Sequence, residues 1–197
     1  MNYQFPEIRT IEDVLPHIEG RSEFIVAERE FGTVINYAVA YADTFDMSGP
    51  EDLTGAIRRE LRGIIFDTQG RIMSRPFHKF FNIGEREETQ PQLINFSRDH
   101  TIMSKVDGSM LRPIILNGKI RWGTKMGFSE VAEYAEKYIQ QHPNYNDFAS
   151  RCVSQSLTPI FEYVGPYNKV VLDYEEGMTL LAVRENVSGK YLNIHGV

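Results

Sequence analysis

The chain has 197 residues, 42% of them hydrophobic and 24% charged, and a net charge of −6. Its length suits one large domain of ordinary soluble, globular composition. The acidic balance excludes a protein that coats nucleic acid by bulk electrostatics. No apolar run approaches the roughly 20 residues a membrane span needs. The start Met1-Asn2-Tyr3-Gln4-Phe5-Pro6-Glu7 has no secretory pattern, and the single Cys152 forms no internal disulfide, so a cytoplasmic location is expected.

In chain order, Ile11 to Ile18 reads as a short helix broken by Pro16. Phe24–Glu28 and Thr33–Val39 are rich in β-formers around a turn ending at Gly32, which predicts a hairpin. Asp43 to Glu60 is polar, with a Gly49-Pro50 breaker and then one helical turn. Leu61–Asp67 predicts a buried strand that turns through Thr68-Gln69-Gly70 into Arg71–Ser74. Between Arg58 and Lys79 lie Arg58, Arg59, Arg62, Arg71, Arg75, His78 and Lys79 against Glu60 and Asp67, a local basic cluster of which about half should face one side. Arg75–Gly84 mixes aromatics with Lys79 and His78 around Pro76 and reads as a binding loop rather than a central strand.

Thr101–Ser104 reads as a strand, followed by Lys105-Val106-Asp107-Gly108-Ser109 and a return strand over Met110–Leu116. The Asp-Gly pair is a turn signal, which would put Lys105 at a sheet edge beside a turn. Lys119–Lys125 predicts another strand. Ser129 caps a helix with Val131, Tyr134, Ala135 and Tyr138 on one face. A second helix runs from about Asn146 to Ser156 with Phe148, Ala149, Cys152 and Val153 inward, making Cys152 a small core residue. Thr158–Val164, Val170–Leu172 and Thr179–Arg184 predict three more strands, and Ser188-Gly189 turns toward Tyr191. His17, His78, His100, His142 and His195 are scattered, no Cys/His spacing suggests a zinc site, and there is no phosphate-binding Gly-x-x-x-x-Gly-Lys loop.

The chemistry that fits Lys105 is attack by its amine on the α-phosphate of a nucleotide. A lysine attacks only when neutral, and at an ordinary pKa near ~10.4 well under ~1% is neutral at pH 7. Such a site therefore needs further cations or a bound metal ion, which also stabilise the phosphate oxygens as pyrophosphate leaves. Candidates stand along the chain: Arg62-Gly63, Lys79-Phe80-Phe81-Asn82, Lys105-Val106-Asp107-Gly108-Ser109, Thr124-Lys125 and Phe161-Glu162-Tyr163-Val164.

In this order the segments resemble the ATP-dependent single-strand RNA ligases of the T-even phage type, the first RNA ligase family. That family belongs to the covalent nucleotidyltransferases, with DNA ligases and capping enzymes. Lys-x-Asp-Gly alone is shared across the superfamily; the ordered set is specific, and Lys-Phe-Phe-Asn argues against a DNA ligase or capping-type relative. The resemblance spans Phe24 to Asn193. It implies an α+β fold, with antiparallel sheets, flanking helices and the nucleotide between sheets, as in an ATP-grasp-like ligase adenylation domain. It implies Lys105 as the adenylated nucleophile and Arg62, Lys79, Phe80, Lys125, Glu162 and Asp107 as nucleotide-binding residues. Either Phe80 or Phe81 would pack near the adenine. ATP with Mg2+ or Mn2+, and single-stranded RNA or nicked tRNA-like ends, are the implied cofactors and partners, in RNA repair in the cytosol of a phage-infected or bacterial host.

The pattern departs from the family after Glu162. The family continues with a metal-holding Glu-Gly strand and a Lys-x-Lys strand that grips the triphosphate. Glu176-Gly177-Met178 reads as a decoy for the first, and Lys190 is the last lysine. Residues 1–197 are therefore expected to be a single, C-terminally incomplete adenylation domain, with a missing C-terminal ligase half as partner. No metal ligands are assigned. The function the resemblance implies is ATP-dependent RNA ligation through lysyl-AMP, with AMP transfer to an RNA 5′-phosphate and sealing by a 3′-hydroxyl, and weak or no ligation is expected of the chain alone; the alternative is an inactive or split-ligase fragment that binds nucleotide or RNA.

Overall fold

A computed structural model describes residues 4–98 and 100–194; His195 lies outside them. Strands β1 (Phe24–Arg29) and β2 (Gly32–Tyr37) form the predicted hairpin, then α1 (Leu53–Glu60) leads to β3 (Arg62–Phe66) and β4 (Ile72–Ser74). These strands build one antiparallel sheet in the order β1-β2-β3-β4. The second sheet follows: β5 (Ser109–Leu116), β6 (Lys119–Gly123), helices α2 (Glu130–Gln141) and α3 (Asn144–Ser154), then β7 (Leu157–Val164) and β8 (Gly177–Glu185). Its order is β6-β5-β7-β8, again antiparallel.

Strand alternation sorts the core into layers. On β2 and β3, Ile35, Ile64 and Phe66 pack with Ile57 of α1 and with Ile8, Val14 and Ile18. Their neighbours Val34 and Ile65 point the other way and meet Ile114 of β5. The far face of the second sheet presents Leu111, Trp122, Phe161 and Tyr163 to Ala132, Ala135 and Ile139 of α2 and Ala149 of α3. The order is therefore α1, first sheet, second sheet, then α2 with α3. This agrees with the α+β reading.

Two buried arginines tie the layers together. Glu60, at the end of α1, takes Arg75 Nε at 3.0 Å and Arg184 Nη1 of β8 at 2.9 Å, and all three side chains are fully buried. Arg75 also donates to backbone carbonyls of Pro6, Asn186 and Val187.

Five local expectations are corrected. Residues 101–104 form no strand: they are exposed, Ile102 to 88%, so their apolar side chains gain nothing from pairing there. The partners of β5 are β6 and β7, and Lys105 precedes β5 in an irregular segment, where Val106 N donates to the Ser104 carbonyl at 3.1 Å, rather than in a β-hairpin. Val170–Leu172 is likewise no strand, because the N–H groups of Val171 and Leu172 go to the Asp107 carboxylate instead of a ladder. Near the N-terminus, Ile11–Asp13 and Leu15–His17 are two 3-10 turns, with Pro16 inside the second. After the Gly49-Pro50 breaker, α1 is longer than the one turn expected, capped by Asp52 accepting from Gly55 N at 2.9 Å.

Candidate active site

The segment after Lys105 is fastened to β7 and to the loop that follows it. Gly108 N donates to Glu162 Oε1 at 3.1 Å. A side chain at Gly108 would bring its Cβ within 2.2 Å of the Tyr163 carbonyl oxygen, so only glycine lets the segment lie this close. Ser109 Oγ donates to Asn168 Oδ1 at 2.9 Å, and Asn168 Nδ2 donates to the Tyr163 carbonyl at 2.8 Å. Asp107 Oδ2 accepts from Val171 N at 2.8 Å and Leu172 N at 3.2 Å. Lys105 itself is exposed.

Glu162 sits in mid-β7, opposite Met110 and Thr179. Burial raises its pKa; the Gly108 N–H and the charges of Lys105 and Arg62 pull it down, and Asp107 pushes it up. One carboxylate thus feels the charges of three other predicted site residues.

The first sheet supplies the facing cations. Arg62 opens β3, and its guanidinium lies 5.0 Å from the Phe80 ring centroid. Lys79 Nζ lies 4.7 Å from the Phe81 ring centroid and 4.0 Å from Glu85 Oε1. Lys125, just past β6, has its pKa lowered by burial and by the charges of Arg62 and Lys79. Its Nζ is 4.2 Å from the Tyr37 ring centroid. Arg62 therefore belongs to two neighbourhoods, that of Glu162 and that of Lys125. The two phenylalanines separate by exposure: Phe81 packs against the core and Phe80 is 53% exposed.

The rest of the basic cluster is spent elsewhere. Arg75 is locked to Glu60, Arg59 pairs with Glu88 at 2.6 Å and Arg71 with Asp67 at 2.9 Å. Only Arg62 and Lys79 of that stretch join Lys125. Glu176 lies in the loop before β8, where its Oε1 accepts from Tyr163 OH at 2.5 Å. Cys152 is buried on the inner face of α3, and burial pushes its thiol pKa up, as suits a core residue. Sequence reasoning missed Tyr37 and Arg112. Arg112 had a visible signal, a lone charge inside the apolar run Leu111–Leu116.

Among the described residues no group of three His, Cys, Asp or Glu side chains is arranged to hold a metal ion. Magnesium that enters on a triphosphate is held largely by phosphate oxygens and water and needs only one or two protein carboxylates. Half-buried Glu162 beside Arg62 fits that limited demand.

The fold is an α+β arrangement of two antiparallel sheets with flanking helices; the sequence comparisons give the family. The chain belongs to the T4-type RNA ligase family: the family model described as RNA ligase matches residues 60–195. All seven predicted site residues fall inside that match. An inferred RNA ligase of Thermovibrio ammonificans is 35% identical over 186 residues, covering 93% of this chain and 47% of that protein. RNA ligase 1 of bacteriophage TS2126 is 27% identical over 199 residues, with the same coverage of 93% and 47%. An inferred bifunctional polynucleotide kinase/RNA ligase of Autographa californica nuclear polyhedrosis virus is 25% identical over 153 residues, 67% of this chain and 22% of that protein. The chain thus spans about half the length of the first two relatives. Among the described residues no helix is long and apolar enough to cross a membrane.

Proposed function

We propose that the chain is the nucleotidyltransferase (adenylation) part of an ATP-dependent RNA ligase acting in RNA repair. Lys105 Nζ, after losing a proton, attacks the α-phosphorus of ATP. An N–P bond forms, the P–O bond to the leaving group breaks, and pyrophosphate departs. The AMP then moves from lysine to an RNA 5′-phosphate, restoring the amine. A 3′-hydroxyl attacks that phosphate, sealing the strand and releasing AMP. Arg62, Lys79 and Lys125 hold phosphate oxygens and offset the charge that develops on them. Glu162 binds the nucleotide and Phe80 offers an open ring to the adenine. Bound magnesium or manganese supplies further neutralisation of the triphosphate.

One observation carries this reading: Lys105, Asp107 and Arg62 all act on the carboxylate of Glu162, while Arg62 and Lys79 act on Lys125. Residues far apart in sequence, from both sheets, thus lie within electrostatic reach of Glu162 and Lys125, which supports the reading. The family membership and the RNA ligase names of the relatives support the same reaction.

The test is incubation with ATP labelled at the α-phosphate, with magnesium or manganese. The wild-type chain should take up label that survives denaturation and alkali but is released by hot acid, as a lysine phosphoramidate is, and Lys105→Ala should take up none. Label that persists in Lys105→Ala, or a wild type that never labels, overturns the assignment. Label without sealing of a 5′-phosphorylated RNA would confine this chain to the first step.

A further inference from the structure

Arg112, in β5, is fully buried between the two sheets and forms no ion pair among the described residues. Its Nη1 donates to Ser74 Oγ at 2.8 Å. Its Nη2 donates to the carbonyl oxygens of Gly63 and of Lys125, the latter at 3.3 Å. Its Nε has no hydrogen-bond partner. Burial lowers its pKa to about 9. A buried cation without a counter-charge is costly, and two other buried arginines of this chain share the carboxylate of Glu60. Arg112 is thus kept at a cost its neighbours avoid.

What it holds explains its place. Gly63 follows Arg62, and the second carbonyl belongs to Lys125 itself. The two backbones touch directly: at Gly63, with φ at 91°, an added Cβ would come within 2.3 Å of the Lys125 carbonyl oxygen. Two carbonyl oxygens that face the same guanidinium nitrogen repel each other unless a donor is shared between them. The Arg112 guanidinium is that shared donor.

We propose that Arg112 is a positioning residue for the nucleotide site. By clamping the carbonyls of Gly63 and Lys125 it fixes the spacing of the Arg62 and Lys125 cations across the seam between the sheets, ready for adjacent phosphate oxygens. This rests on the nucleotidyl-transfer reading above. It assigns to a buried residue the control of how well that site takes a triphosphate.

The test uses Arg112→Lys and Arg112→Met in the full chain. A lysine keeps the charge but cannot serve both carbonyls and Ser74 with one planar fork. Labelling of Lys105 is measured against ATP concentration. The KM for ATP should rise about tenfold or more, with a smaller change in the saturating rate, because a misplacement near 1 Å is enough for such a loss. Ser74→Ala, which leaves both carbonyl contacts in place, should stay near wild type. A folded Arg112→Lys with an unchanged KM, or a loss seen only as fewer labelled molecules at the same KM, overturns the proposal. If Arg112→Met does not fold, Arg112→Lys decides alone. A second readout needs no turnover: the rate at which Lys125 is reductively methylated, followed by mass spectrometry. It should rise in Arg112→Lys, and an unchanged rate counts against the proposal. A wild type that fails to label while Lys125 reactivity still responds to Arg112→Lys would sink the nucleotide reading and leave the clamp standing.

Discussion

Asp107 spends one carboxylate oxygen on two successive backbone N–H groups, those of Val171 and Leu172. That arrangement needs an acceptor and gains only part of its strength from charge. Asp107→Asn should therefore keep Lys105 labelling within about tenfold of wild type, while Asp107→Ala, which frees the loop, should lose on the order of 100-fold. Equal losses in a labelling assay would mean that the charge itself is used. Glu162 is different, because its carboxylate sits among Lys105, Arg62 and Asp107. Glu162→Gln retains an acceptor for Gly108 N but removes the charge. Nucleotide labelling should fall sharply while the melting temperature barely moves. The proposed polar site residues stand in a recognisable order in the sequence. Arg112 and Tyr37 were not legible there, because what they touch is settled by sheet packing: Arg112 meets a carbonyl 49 positions away.

The elements most legible in the sequence are those whose ends carry local chemistry. Helix α2 begins where Ser129 accepts from Ala132 N, with Glu130 and Glu133 in its first turn. Ser129→Ala should cost about 1 kcal/mol in a urea titration. The Phe24–Tyr37 hairpin was legible for the same reason, through its strand composition and Gly32. The runs 101–104 and 170–172 misled because an apolar stretch of three or four residues says nothing about whether a partner strand is near. Val171 is 72% exposed, and its backbone serves Asp107 rather than a sheet. The loops around Lys105 take their shape from side chain to backbone contacts that periodicity does not encode.

Across the whole molecule, burial sets the pH response. Burial alone would raise the pKa of Glu60; Arg184 and Arg75 outweigh it and hold the carboxylate below its ordinary value. Glu60→Gln should destabilise the chain by about 3–5 kcal/mol in denaturant titrations, since two buried guanidinium groups lose their counter-charge. His78 acts at milder pH. Burial lowers its pKa from 6.5 to about 4, against the opposing pull of Glu60. Between those values the unfolded chain binds a proton that the folded chain refuses, so stability falls as pH drops from about 6.5 toward 4. Unfolding titrations at pH 7 and pH 5 should show that loss in wild type and a smaller one in His78→Gln.

The exposed stretch before Lys105 divides the chain into two parts, each carrying one sheet, yet the ties between them are buried: Glu60 and Arg75 on one side meet Arg184 on the other, and Arg112 holds Gly63. A protease that cuts between Ile102 and Ser104 should therefore leave two peptides that migrate as one particle under native conditions. The nick would sit on the N-terminal side of Lys105, so the proposed nucleophile would stay with the second peptide while Arg62 and Lys79 came from the first. Labelling by the nicked particle, and its loss when the peptides are separated in denaturant, would make the molecule a two-piece reporter in which nucleotide transfer reads out reassembly.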